Sequence, residues 1–168
     1  MKRFILTLTL ILGVAFAASA QNYAVVNSEK IFKSIAKYNE AITELDKLAN
    51  DYQTKVDAKF EEVEKLYNTY MQRRSQLSAA SQAANEENIL KLEQEATEYQ
   101  ESIFGTEGTL MQKRLELIQP IQKEVFAAIE KYAKQKGYDM IIDISQNATM
   151  LYYSERVDHT DEIIESLK

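Results

Sequence analysis

From Tyr38 to about Lys136, apolar residues return every three or four positions, and this pattern limits most of what the chain can become. The first series is Ile42, Leu45, Leu48, Tyr52, Val56, Phe60, Val63, Tyr67, Tyr70 and Leu77, with one gap. The second runs from Ile89, Leu92, Ala96, Tyr99 and Ile103 through Leu110, Leu115, Ile118, Ile121 and Val125 to Tyr132. Glu, Lys, Asp, Gln and Asn fill most positions between, as a solvated helix face requires. The whole chain has one Pro and four Gly, a poverty in chain breakers that points to long helices.

Between the two series, Ser78–Asn85 holds no large apolar residue. A turn between antiparallel helices and one continuous helix both fit it, since alanine favours the helix locally. The seam supports the turn. A reversal near Ser81 and Gln82 sets Ile42 opposite Ile121, Leu45 opposite Ile118, Leu48 opposite Leu115, Tyr52 opposite Met111 and Phe60 opposite Ile103. Such a hairpin spans ~40 residues from root to tip, or ~60 Å.

Short β-like pieces flank the helical middle. Tyr23-Ala24-Val25-Val26 reads as a strand, after which Asn27 or Ser28 caps a short helix through Phe32 and Ile35. Gly137 follows the second series where a helix C′ glycine belongs. Tyr138–Ile144 and Thr149–Tyr153 then read as two strands around the polar turn Ser145–Ala148, and a closing helix starts at Asp158 or Thr160. Three short strands make a poor sheet by themselves, and pairing with other copies of the chain would complete it. The candidate association residues are Tyr23, Val25, Val26, Met140, Ile141, Ile142, Ile144, Met150 and Tyr152.

The N-terminus reads as an export leader. Lys2 and Arg3 precede the apolar run Phe4–Phe16, and Ala18-Ser19-Ala20 offers a cleavage site before Gln21. The run is shorter than the roughly 20 residues a bilayer span needs, so stable membrane insertion is not expected. No cysteine follows, which excludes a lipid-anchored lipoprotein. Cleavage after Ala20 removes two cations and no acid, moving the formal net charge from −6 to −8, which argues against a nucleic-acid or anionic-membrane binder. Without Cys in an oxidising compartment, stability must come from packing or from association between chains.

For catalysis the sequence is nearly empty. His159 is the only histidine and reads as a surface or capping residue; zinc ligands, a phosphate loop and a nucleophile elbow are missing. No cofactor and no enzymatic activity are expected. Carboxylates on helix faces make no pocket of the kind catalysis needs. More informative are Tyr67, Tyr70, Met71, Tyr99, Phe104 and Met111, which either belong to the seam or form adhesive surface; Met71 and Phe104 sit one step beyond it. Gly105, Gly108 and Pro120 weaken the helix, at about 1 kcal/mol per glycine and about 3 for proline. They read as a bend or hinge, with Pro120 setting the angle at the root.

The mature chain resembles the Skp, or OmpH-like, family of periplasmic chaperones. The likeness rests on Tyr23–Ser28 followed by Ile31-Phe32, the charged helical middle, Gly137–Asp143, and the closing stretch from Asp158 to Leu167. The resemblance implies a mainly α fold with a small β body, forming a jellyfish-like homotrimer through its strands. A leader over 1–20, a body over 21–37 and 121–168, and a hairpin arm over 38–120 with its tip near 78–85 follow. It implies a periplasmic, ATP-independent holdase whose arms surround unfolded outer-membrane β-barrel proteins; the six aromatic and Met positions, read from the residues themselves, are the candidate client-binding residues. Well-known members are basic, however. At −8, an electrostatic grip on clients or a lipopolysaccharide site does not carry over, and capture should lean on apolar contacts that salt affects less. A periplasmic coiled-coil spacer or adaptor without client activity would use the same helices.

Overall fold

The computed structural model describes residues 22–146 and 149–168; the expected leader lies outside them. No helix among the described residues is long and apolar enough to cross a membrane. The chain is mostly helical with a two-stranded sheet: β1 (Tyr23–Val26), α1 (Ser28–Ser34), α2 (Ala36–Arg73), α3 (Ala79–Phe104), α4 (Thr109–Lys136), β2 (Met140–Asp143) and α5 (Thr160–Ser166). Contacts divide the described residues into two compact units, one gathering residues 22–36 with those from Gln122 to Lys168, the other Lys37–Ile121.

In the first unit, β1 and β2 pair in parallel, Tyr23 with Met140 through Val26 with Asp143. A parallel pair needs a long crossover, which the intervening helices supply. On the other side of β1, Val25 forms a parallel bridge to Asp158, and the His159 N–H donates to the Val25 carbonyl at 3.0 Å. The strand is therefore flanked on both sides, and Ala24, Val25 and Val26 are buried. Val26, Ile31, Val125 and Ile163 form the core. Local chemistry ends each element. Asn27 Oδ1 caps α1 by accepting the Lys30 N–H at 2.9 Å. Gly137 takes φ 72°, and the Tyr138 N–H returns to the Ala133 carbonyl at 2.9 Å, closing α4 in a Schellman motif.

The expected strand at Thr149–Tyr153 does not form. Residues 145–146 turn, residues 147–148 lie outside those described, and Leu151 and Tyr152 are 95% and 83% exposed. β2 takes β1 as its partner, and among the described residues the second apolar run joins no ladder.

In the second unit α2 runs for 38 residues, about 57 Å, antiparallel to α3 and the start of α4. The Tyr70 hydroxyl donates to Glu86, Lys59 Nζ lies 5.2 Å from the centre of the Tyr99 ring, and Lys113 lies 4.0 Å from Glu44. Ala41, Leu45, Val56 and Tyr70 of α2 and Ile89, Ala96 and Ile103 of α3 are buried. The reversal falls earlier than the seam suggested, at Leu77 and Ser78 rather than Ser81 and Gln82. Ser78 takes an extended conformation and its Oγ accepts the Ser81 N–H at 3.2 Å, so the following alanines enter α3 as their propensity favours. Gln82 Nε2 covers the carbonyls of Arg74 at 3.0 Å and Leu77 at 3.1 Å. With Tyr70 beside Glu86, Lys59 beside Tyr99 and Lys113 beside Glu44, all the expected pairings, from Ile42 with Ile121 to Phe60 with Ile103, are displaced by more than one helical turn.

The second apolar series is two helices, not one. Gly105 ends α3 with its N–H on the Glu101 carbonyl at 2.8 Å, and α4 begins only at Thr109. A Cβ at Gly105 would lie 2.4 Å from the Glu101 carbonyl oxygen, and one at Gly108 2.5 Å from that of Ile103. Close backbone approach thus requires both glycines. Pro120, by contrast, sits inside a continuous α4.

Candidate functional site

The six aromatic and Met positions divide by burial. Tyr70 is buried between α2 and α3 and Tyr99 is half-buried under Lys59, whereas Tyr67, Met71, Phe104 and Met111 are exposed. Their local origin is helical spacing. Tyr67 and Met71 stand four residues apart and share one face of α2. Leu90 joins them from α3 at 65% exposure, and Tyr67, Met71, Tyr70, Ile89 and Leu90 line a groove of about 440 Å³ with Arg74, Glu86 and Glu93 around it. Sequence reasoning passed over Leu90. The signal was the adjacent pair Ile89-Leu90: if Ile89 faces inward, its neighbour about 100° around the helix cannot.

The groove is held at one end by polar contacts. The Tyr70 hydroxyl donates to Glu86, and Arg74 lies 3.8 Å from the same carboxylate. The bond to Glu86, with burial adding to it, pushes the Tyr70 phenol above its ordinary range. Nothing in this arrangement activates a nucleophile, and no cluster of metal-ligating residues occurs among the described residues.

The candidate association residues divide likewise. Val25 and Val26 are buried by their own chain and Ile141, Ile142, Ile144 and Met150 are half-buried, while Tyr23, Met140 and Tyr152 are exposed. Phe126 is also exposed on α4, edge-on to Phe32 with ring centres 6.4 Å apart.

Of the two expected roles for His159, surface or capping, the structure gives the capping position, at the N-cap of α5, without a side-chain cap bond. The side chain is only 15% exposed. Nδ1 lies 3.0 Å from both the Tyr132 hydroxyl and Glu162, and Nε2 lies 2.7 Å from the Tyr138 hydroxyl. Burial, before the nearby Glu162 charge, raises the Tyr132 phenol. Partners 21 and 27 residues away in sequence leave no local signal for this tie between α4 and α5.

A second polar tie joins β2 to α1. Asp143 accepts the Ser28 N–H at 3.1 Å, the Ser145 N–H at 2.9 Å, and both hydroxyls. Burial pushes this carboxyl up, but the bonds from Ser28 and Ser145 outweigh it and hold it below its usual range.

A family model described as outer membrane protein (OmpH-like) matches residues 22–167. A protein of Aquifex aeolicus (strain VF5), described as uncharacterized, is 27% identical over 167 residues, which cover 99% of this chain and 96% of that one. With the match spanning both β1 and α5, and so nearly everything described above, the chain belongs to the OmpH-like family.

Proposed function

We propose that this chain is an ATP-independent holdase of the periplasm that keeps unfolded outer-membrane β-barrel proteins from aggregating. Membership of the OmpH-like family, a family of chaperones and not of enzymes, supports the class. One observation carries the mechanism. The helices of the Lys37–Ile121 unit bury their own seam and still expose Tyr67, Met71, Leu90, Phe104, Met111 and Leu115. Polar surface would have cost nothing in folding at these positions, and weak repeated apolar contacts suit a partner with no fixed shape.

In this reading the chain is exported by its leader, cleaved after Ala20, and assembles as a homotrimer. Residues 38–120 serve as the client-holding arm, while residues 21–37 and 121–168 associate through Tyr23, Met140, Tyr152 and the half-buried residues of β2. Three arms then enclose a client, and the break at Gly105–Gly108 gives each arm a bending point.

Light scattering tests the proposal. A urea-unfolded outer-membrane barrel diluted into buffer should stay clear in the presence of stoichiometric mature chain, with no nucleotide added. Unchanged aggregation would leave the protein as a spacer.

A further inference from the structure

At the turn end of α2 and α3, the groove between Tyr67, Met71 and Leu90 combines an apolar floor with a rim of one unbalanced charge. Tyr70 and Ile89 are buried beneath it. On the rim, Arg74 and Glu86 already face each other at 3.8 Å and the Tyr70 hydroxyl donates to Glu86, so these groups satisfy one another. Glu93 differs: it is exposed and, among the described residues, has no ion-pair partner. Met71 is 46% exposed and Tyr67 49%, so the walls stand open to solvent rather than packed against the rest of the chain.

We infer that this groove is a docking site for extended polypeptide in which a large aromatic or aliphatic residue lies one or two positions from a Lys or Arg. The apolar side chain enters between Met71 and Leu90, and the cation meets Glu93. Met and Tyr walls adapt to different side chains, which gives affinity without strict sequence choice. The charge selects sign only, and the chain's formal charge of −6 favours the same sign at longer range. Unfolded strands of a β-barrel carry this chemistry because apolar and polar residues alternate along them. The assignment deepens the holdase reading and rests on it for the nature of the client.

Three twelve-residue fluorescent peptides decide the matter with the full mature chain, by anisotropy: one Phe flanked by Lys, the same Phe flanked by Glu, and Ser in place of Phe flanked by Lys. The Phe–Lys peptide should bind about three-fold tighter than the Phe–Glu peptide, as an exposed ion pair allows. Replacing Met71→Ser and Leu90→Ser together should weaken it about ten-fold, and Glu93→Lys should reverse the preference for Lys over Glu. Glu62→Lys, an exposed carboxylate of the same unit outside the groove lining, should change neither result. Equal binding of the Lys and Glu peptides, or an unaltered preference in Glu93→Lys, overturns the assignment. So does a change in the native mass of the chain alone in the Met71→Ser, Leu90→Ser variant, which would make the groove a contact between copies. Aggregation of an unfolded barrel, followed separately, reports on the holdase reading: suppression by wild type and equally by this variant would keep that reading and remove the groove from it.

Discussion

Tyr70 and Glu86, sixteen residues apart, join α2 to α3 by a hydroxyl-to-carboxylate hydrogen bond two turns from the reversal. The bond exists only while the phenol keeps its proton. Its raised folded value means that the contribution is fully present below the ordinary phenol value of 10.0 and is lost as pH rises through the folded one. Wild type should therefore lose stability on going above pH 10 more steeply than Tyr70→Phe, measured by urea midpoints across the alkaline range.

Asp143 should show the opposite dependence. Its lowered value places the stabilisation above the ordinary carboxyl value of 3.8, with loss as pH falls through the folded one. Asp143→Ala should cost about 1–2 kcal/mol at pH 7, discounted for partial exposure, and flatten the acid limb of the stability profile. Urea titrations between pH 2 and pH 7 supply the comparison.

Gly105 and Gly108 separate two accounts of the α3–α4 junction. In a helix interior, each change to alanine would stabilise by about 1 kcal/mol. Here the added Cβ meets a backbone carbonyl oxygen at 2.4 or 2.5 Å, so each should destabilise by about 1–3 kcal/mol. The sign of the shift in denaturation midpoint decides between them.

Ile163 and Leu151 should behave differently under truncation. Ile163 is fully buried, and Ile163→Ala should cost about 2–5 kcal/mol in chemical denaturation. Leu151 is 95% exposed, so Leu151→Asp should leave the stability of the single chain unaltered. If residues 149–153 find their partner in another copy, the same change should lower the native mass at micromolar concentration.

What the sequence revealed divides by distance along the chain. A cap at Asn27 or Ser28, the positive φ at Gly137 and the strand at Tyr23–Val26 are readable from residue type, and the structure puts the cap at Asn27. The pairing of Tyr23 with Met140 is not readable in this way, because β propensity describes a strand and leaves its partner open. Thr149–Tyr153 has the residue types of a strand and no ladder to join, which is why pattern reading placed a hairpin there. The reversal was misplaced by a few residues because Ala79–Ala84 suits a helix as well as a tip, and only the Ser78 cap decides. In the groove, Tyr67 and Met71 were legible as helix neighbours. Leu90 joins them only once α3 is laid beside α2.

Native mass spectrometry of the purified mature chain, alone and with one urea-unfolded outer-membrane barrel protein, tests the holdase account most directly. The account predicts a trimer that takes up a single client and holds it without nucleotide. A chain that stays monomeric and gains no mass from the unfolded barrel would contradict it.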